Sequence, residues 1–266
     1  MPSTFTPSHR GGSGQPLVCL HGFLDTWRTW ELVLPALERR HDVLAPTLAG
    51  HSGGPAIEGE VTNVALADAV ERAMGEAGME TAHIVGNSLG GWIALQLASR
   101  GRAETVVALA PAGGWARGDE SYKDVLRLQA SIQEQARTVA PRAQEVLSTP
   151  DGRRRATQYI TTNFEHLPVE LLAHQMLGVA SCPAALPLVD HAARAEWTME
   201  ADKIACPVRI VWGTADRLLP WPSAAARFRD DWLPHADYVE LEAIGHCPQL
   251  DVPLETAQLI LGFTSS

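Results

Sequence analysis

A chain of 266 residues with 45 % hydrophobic residues has the composition of a folded globular protein and the length for one large α/β domain with an insertion. Its 31 acidic residues against 21 basic ones give a formal net charge of −10, so no surplus of Lys and Arg is there to neutralise phosphates, and nucleic acid drops out of the expected partners. Residues 1–12 hold no apolar secretory core, and no stretch reaches membrane-spanning length. Cys19, Cys182, Cys206 and Cys247 form no CxxC pair, and the ten histidines form no HxH or HExxH pattern. We therefore expect a cytoplasmic protein with reduced thiols, no metal or other cofactor, no membrane partner and a small-molecule substrate.

Four short apolar runs come first, at residues 17–20, 42–45, 82–85 and 105–110. They show no clean alternation, which predicts strands buried on both faces. Between them the spacing predicts helices over 30–39, over 61–76, where Val64, Ala67, Val70 and Met74 fall on one face, and over 89–99. Strand alternating with helix implies a parallel sheet with crossover helices. From about residue 116 to 199 strand character is lost. Helical stretches such as 121–139 and 142–147 are broken up by Pro141, Pro150, Pro168, Pro183 and Pro187. The run Arg153-Arg154-Arg155 reads as a solvated helix face. Strands return at 208–212 and 238–241, and a last helix is predicted over 253–263. The expected organisation is an α/β core of residues 1–115 and 200–266, a mostly parallel sheet flanked by helices, with a helical cap inserted at 116–199.

Gly86-Asn87-Ser88-Leu89-Gly90 fits G-x-S-x-G, and its context matters more than its letters. It follows one predicted strand and opens the next helix, the setting in which a serine sits on a strained turn with its hydroxyl exposed. Glycines flank it because so tight a turn leaves no room for a Cβ. The helix N-terminus points amides at the place where negative charge develops. A serine hydroxyl is a weak nucleophile and needs a base. Asp216 lies just beyond the strand at 208–212, and His246 just beyond the last strand, in the chain order serine, acid, histidine. Both would stand at the C-terminal edge of the sheet, where open α/β folds bind ligands. His21-Gly22-Phe23 follows the first strand. The expected oxyanion hole is made by the backbone amides of Phe23 and Leu89, with His21 as a brace for the loop.

Taken together, His21-Gly22-Phe23, Gly50-His51-Ser52-Gly53, Gly86-Asn87-Ser88-Leu89-Gly90-Gly91, Gly213-Thr214-Ala215-Asp216 and Gly245-His246 resemble the successive signatures of the α/β-hydrolase superfamily. The resemblance spans nearly the whole chain outside the insertion. It implies the α/β-hydrolase fold, the triad Ser88, Asp216 and His246, and a helical cap. A serine at position 88 speaks against the epoxide hydrolase and haloalkane dehalogenase branches, which use an aspartate there. The expected activity is hydrolysis of a small, mainly apolar ester through an acyl-enzyme at Ser88. Two alternatives stand beside it: a C–C bond hydrolase of ring-fission products, with Asn87 and Arg194 as its extra polar groups, and a ligand-binding protein without turnover. Candidate pocket residues are Asn87, Trp115, Phe164 and Met176, with Leu177 and Trp197 beside them.

Overall fold

The computed structural model describes residues 5–264; residues 1–4, where the N-terminal stretch begins, and 265–266 lie outside the described residues. Seven strands form one sheet: β1 (Ser8–Gly12), β2 (Gln15–Leu20), β3 (His41–Pro46), β4 (Ala82–Asn87), β5 (Ala103–Leu109), β6 (Val208–Gly213) and β7 (Asp237–Leu241). Their order is β1-β3-β2-β4-β5-β6-β7. All neighbours are parallel except β1, which pairs antiparallel with the edge of β3. The chain moves outward from β2 to β3 and then returns to the other side of β2 for β4. That reversal opens a crevice at the C-terminal ends of β2 and β4.

The strand residues are apolar throughout because both faces are covered. Val18, Leu20, Ile84, Val106, Ala108, Ile210 and Trp212 pack against α2 (Asn63–Glu76) and α3 (Leu89–Ser99). The alternate residues Leu17, Cys19, Val85, Val107, Leu109 and Val211 pack against α1 (Leu34–Leu37) and α10 (Pro253–Thr264). Period-two alternation is therefore present, but it divides one apolar face from another and leaves no polar signal to read.

The predicted helix over 30–39 is corrected to a 3₁₀ turn at Trp27–Trp30 followed by the short α1. Pro35 supplies no N–H to bond back to residue 31, so a continuous helix does not form and Pro35 stands in the first turn of α1. The strand β1 was not predicted. Its Ser-His-Arg-Gly-Gly sequence has no apolar pattern, because it forms the sheet edge.

Between β5 and β6 the described residues contain no strand. They hold α4 (Tyr122–Val139), α5 (Ala143–Leu147), α6 (Pro150–Thr157), α7 (Val169–Ser181) and α8 (Ala185–Arg194). The prolines mark boundaries as expected, with one correction: Pro187 lies in the first turn of α8, where an amide would lack an intrahelical partner anyway. Arg154 and Arg155 of α6 pair with Asp151 on its exposed face. Among the described residues no single helix is both long and apolar enough to cross a membrane. One further short helix, α9 (Pro248–Asp251), follows His246.

Candidate active site

Four loops meet above the crevice, and each is held by local geometry. Ser88, between β4 and α3, has φ 55° and ψ −117°, a conformation that a non-glycine residue adopts only when its surroundings impose it. The glycines make this possible. A Cβ on Gly86 would lie 2.2 Å from the carbonyl oxygen of Gly90, and one on Gly90 would lie 2.2 Å from that of Leu20. The loop after β2 comes equally close, since a Cβ on Gly22 would stand 3.3 Å from Ser88 Cβ. The next amide is that of Phe23. The Leu89 amide is at the first position of α3, so it has no carbonyl to bond within the helix.

Beyond β6 the Asp216 carboxylate is fully engaged. Oδ1 accepts the amides of Leu218 and Leu219, each at 2.8 Å, and Oδ2 accepts His246 Nδ1–H at 2.7 Å. Asp216 is 5 % and His246 2 % exposed, so water does not compete for this contact. With the proton on Nδ1, Nε2 carries the lone pair, and it is buried without a hydrogen-bond partner.

His21 braces the loop after β2. Its Nδ1–H donates to Gly22 O at 2.7 Å and its Nε2 accepts the Leu48 amide at 2.8 Å. Burial, and then the neighbouring His51, push its pKa well below the usual imidazole range, so it stays neutral. Burial likewise lowers His51 to about 4.

Asn87 is a correction. It does not line a pocket. Nδ2 donates to Leu109 O at 3.1 Å and to His246 O at 3.0 Å, while Oδ1 accepts Gln249 Nε2 at 3.1 Å and Cys247 Sγ at 3.3 Å. All its capacity goes into tying the serine turn to the histidine loop.

An apolar cleft opens from Ser88 toward α4 and α8, with about 600 Å³ of empty space including its mouth. Phe23, Leu89, Ala112 and Leu219 surround the serine, and Trp115, Tyr122, Leu188 and Trp197 form the outer walls. Trp115 and Trp197 thus both line the cleft. Phe164 and Met176 do not: they pack with Leu147, Leu167, Leu171 and Leu250 in a separate apolar cluster beneath α7. Leu177 is not on the cleft either. Their spacing made them apolar and inward-facing, and only the packing of α5 on α7 decided which interior they face. Arg194 is exposed, and its Nε donates to Asp190 O at 3.1 Å.

Two carboxylates escaped the sequence reading. Asp251, 2 % exposed, accepts the amides of Gly245 (2.7 Å), Thr162 (2.9 Å) and Asn163 (2.6 Å). It clamps the loop before α7 onto the histidine loop, and Cys247 N–H adds a bond to Ile160 O at 2.8 Å. Asp25 links the loop after β2 to Gln175 of α7 at 3.1 Å. Neither belongs to a motif, so nothing in the linear pattern marks them.

The sequence model described as "Alpha/beta hydrolase family" matches residues 17–259. The chain belongs to that family. It is a hydrolase on the α/β scaffold, and its mostly parallel sheet flanked by helices is that of the family. Epoxide hydrolase EphH of Mycobacterium tuberculosis is 36 % identical over 207 residues, which cover 76 % of this chain and 95 % of that protein. Pimeloyl-[acyl-carrier protein] methyl ester esterase of Aromatoleum aromaticum is 28 % identical over 257 residues, 92 % of this chain and 96 % of that protein. Among solved structures, the enol-lactonase of Burkholderia xenovorans LB400 superposes with a TM-score of 0.72 at 19 % identity, covering 97 % of this chain and 96 % of that one, a likeness of fold. The first relative bears the name of a branch that Ser88 speaks against, and chemistry has to decide between name and residue.

Proposed function

We propose that this α/β hydrolase is a serine esterase acting on small, mainly apolar carboxylic esters, with residues 116–199 as its cap. One observation carries the reading. His246 has its Nδ1 side held by a fully engaged Asp216 and its Nε2 lone pair free, on a loop that Asn87 ties to the strained strand-to-helix turn carrying Ser88. In this mechanism Ser88 Oγ attacks the ester carbonyl and its proton passes to His246 Nε2. The amides of Phe23 and Leu89 receive the oxyanion. Collapse expels the alcohol, which takes the proton from His246 and leaves the acyl group on Ser88. Water, deprotonated by His246, then attacks the acyl carbonyl and releases the acid.

The epoxide hydrolase name of the first relative does not carry over to this nucleophile. A serine that opened an epoxide would become an alkyl ether, which offers no carbonyl for water to attack. A carboxylate nucleophile would form a hydrolysable ester, but position 88 does not hold one. Carbon–carbon cleavage needs polar groups fixed over the substrate's conjugated end. Asn87 is consumed by the protein's own contacts, Arg194 lies on the surface, and no charged side chain lines the cleft among the described residues. Ester cleavage therefore ranks first.

The test is Ser88→Ala on short aryl esters, with an epoxide and a vinylogous 1,5-diketone acid as comparison substrates. The expected outcome is ester turnover above both comparisons and a loss of kcat on the order of 10⁴-fold or more in a folded Ser88→Ala protein. Undiminished turnover in that variant, or a preference for either comparison substrate, would overturn the reading.

A further inference from the structure

A largely buried chain of hydrogen bonds that the mechanism above does not use runs from α7 to the serine turn. Gln175 Nε2 donates to Asp25 at 3.1 Å. Asp25 also accepts its neighbour's amide, Thr26 N–H, at 2.8 Å, and the Thr29 hydroxyl. Thr29 Oγ1 accepts Gln249 Nε2 at 3.2 Å, and the same Nε2 donates to Asn87 Oδ1 at 3.1 Å. Asn87 Nδ2 reaches His246 O at 3.0 Å. Thr29 and Gln249 are 0 % exposed and Asn87 2 %. Asp25 N–H also donates to Gly22 O at 3.3 Å, closing the turn that contains the Phe23 amide.

The chain has a direction. Gln249 can only donate through its NH₂, so the Thr29 hydroxyl must give its own proton to Asp25. Gln175 and the Thr26 amide also donate to Asp25. Three donors converge on one carboxyl group; the ionised form offers each of them a lone pair, and a proton removes one of the acceptor sites. A proton on Asp25 sets donor against donor and breaks a link.

We infer that Asp25 is a positioning residue: its ionised carboxylate keeps the Phe23 turn and α7 in register with the serine turn and the histidine loop. The proposal rests on the serine esterase reading. Burial raises the Asp25 pKa from 3.8 to about 6, against the smaller opposing effect of its hydrogen bonds. His174, which meets Thr26 Oγ1, is lowered to about 4 by burial and is neutral near pH 6, and burial keeps the Cys247 thiol protonated. Asp216 and Asp251 act on Cys247 as Asp25 does, and Arg28 and Glu31 act on His174. Between pH 3.8 and about 6 the folded protein holds a proton that the unfolded chain has released. Asp25's contribution to stability therefore falls as pH rises through that window, and at neutral pH its charge costs stability. A residue kept only for the fold would show the opposite.

The experiment compares wild type, Asp25→Asn and Thr29→Val on a short aryl ester, with Tm and the pH dependence of kcat measured on each. In both variants kcat is expected to fall about tenfold to a hundredfold, with KM much less changed, because the reacting groups are displaced rather than the substrate site. For Asp25→Asn, Tm is expected not to fall. The wild-type acid limb is expected to be steeper than that of Asp25→Asn, because two groups must lose protons in the former and one in the latter. If Asp25→Asn does not fold, Thr29→Val, which keeps shape and removes the one hydroxyl link, carries the test alone. Wild-type kcat in the folded variants, or a kcat loss that follows Tm with the acid limb unchanged, overturns the proposal and leaves the esterase reading standing. Ester turnover that survives Ser88→Ala overturns both.

Discussion

The two sides of the helical segment meet the core in different ways. On the side of α7 and the loop before it, the contacts are directional. Asp251 takes three backbone amides, Cys247 bonds Ile160, and Asp25 takes Gln175. On the side of α4 and α8 the contacts are mainly apolar, from Trp115, Tyr122, Val125 and Leu188, with Ala184 N–H to Gly50 O (2.9 Å) as a tie at the start of α8. Hydrogen bonds fix distances and angles, whereas apolar contact rewards burial without direction. The first side therefore suits the holding of catalytic loops, and the second suits a wall whose shape adapts to substrate. On the proposed esterase reading, orientation and selectivity would be divided between two faces of one insertion.

Four substitutions in three tests put that division at risk, in falling order of effect. Asp216→Asn replaces a carboxylate that accepts three hydrogen bonds with a group whose NH₂ cannot accept. Either the two leucine amides or His246 Nδ1–H loses its partner, and the imidazole loses its orientation. We expect kcat for an aryl ester to drop about 10⁴-fold with the fold retained, as for the corresponding change in a serine protease. A fully active variant would remove the Asp216–His246 contact from the chemistry.

Asp251→Ala strips the acceptor from three backbone amides at once. An unmade buried hydrogen bond costs about 1–3 kcal/mol, so the variant should lose roughly 3 kcal/mol or more in urea unfolding. If its midpoint stays at the wild-type value, the clamp between the loop before α7 and the histidine loop is not what holds that side.

The smallest effect sharpens the contrast. Ala112 N–H bonds Ser88 O at 3.1 Å and its side chain lines the cleft, so Ala112→Leu should crowd a bulky acyl or alcohol group beside the nucleophile. Overpacking costs about 1–3 kcal/mol, so kcat/KM for a bulky ester relative to an acetate should fall about tenfold. Met176→Ala, in the separate cluster under α7, should leave that ratio unchanged and cost about 1–2 kcal/mol of stability for a partly buried side chain. A shift in preference from Met176→Ala with none from Ala112→Leu would exchange the roles of the two sides.

Much of this molecule was legible in its sequence, wherever a local rule produces a local signal. Apolar runs punctuated by glycine or proline located six of the seven strands, because strands covered on both faces need continuous apolar residues. Gly86 and Gly90 announced the turn around Ser88, since no side chain fits against the carbonyls they approach. The order of Ser88, Asp216 and His246 after β4, β6 and β7 followed from the same alternation, and so did the absence of strands between β5 and β6. The remainder depended on which distant segments meet. Asn87 reads as a free polar group beside a nucleophile until Gln249, Cys247 and Leu109 occupy it from 162, 160 and 22 residues away. Phe164 and Trp197 are alike as apolar residues of one insertion, yet one packs under α7 and the other walls the cleft. Asp25 and Asp251 are ordinary carboxylates in sequence. They become constraints on the site only because Gln175 and the loop before α7 arrive to donate to them. A side chain's type sets what it can bond. Its partner, and with it its role, is set by the tertiary contacts, since burial makes each polar group bond to whatever donor or acceptor the fold brings within reach.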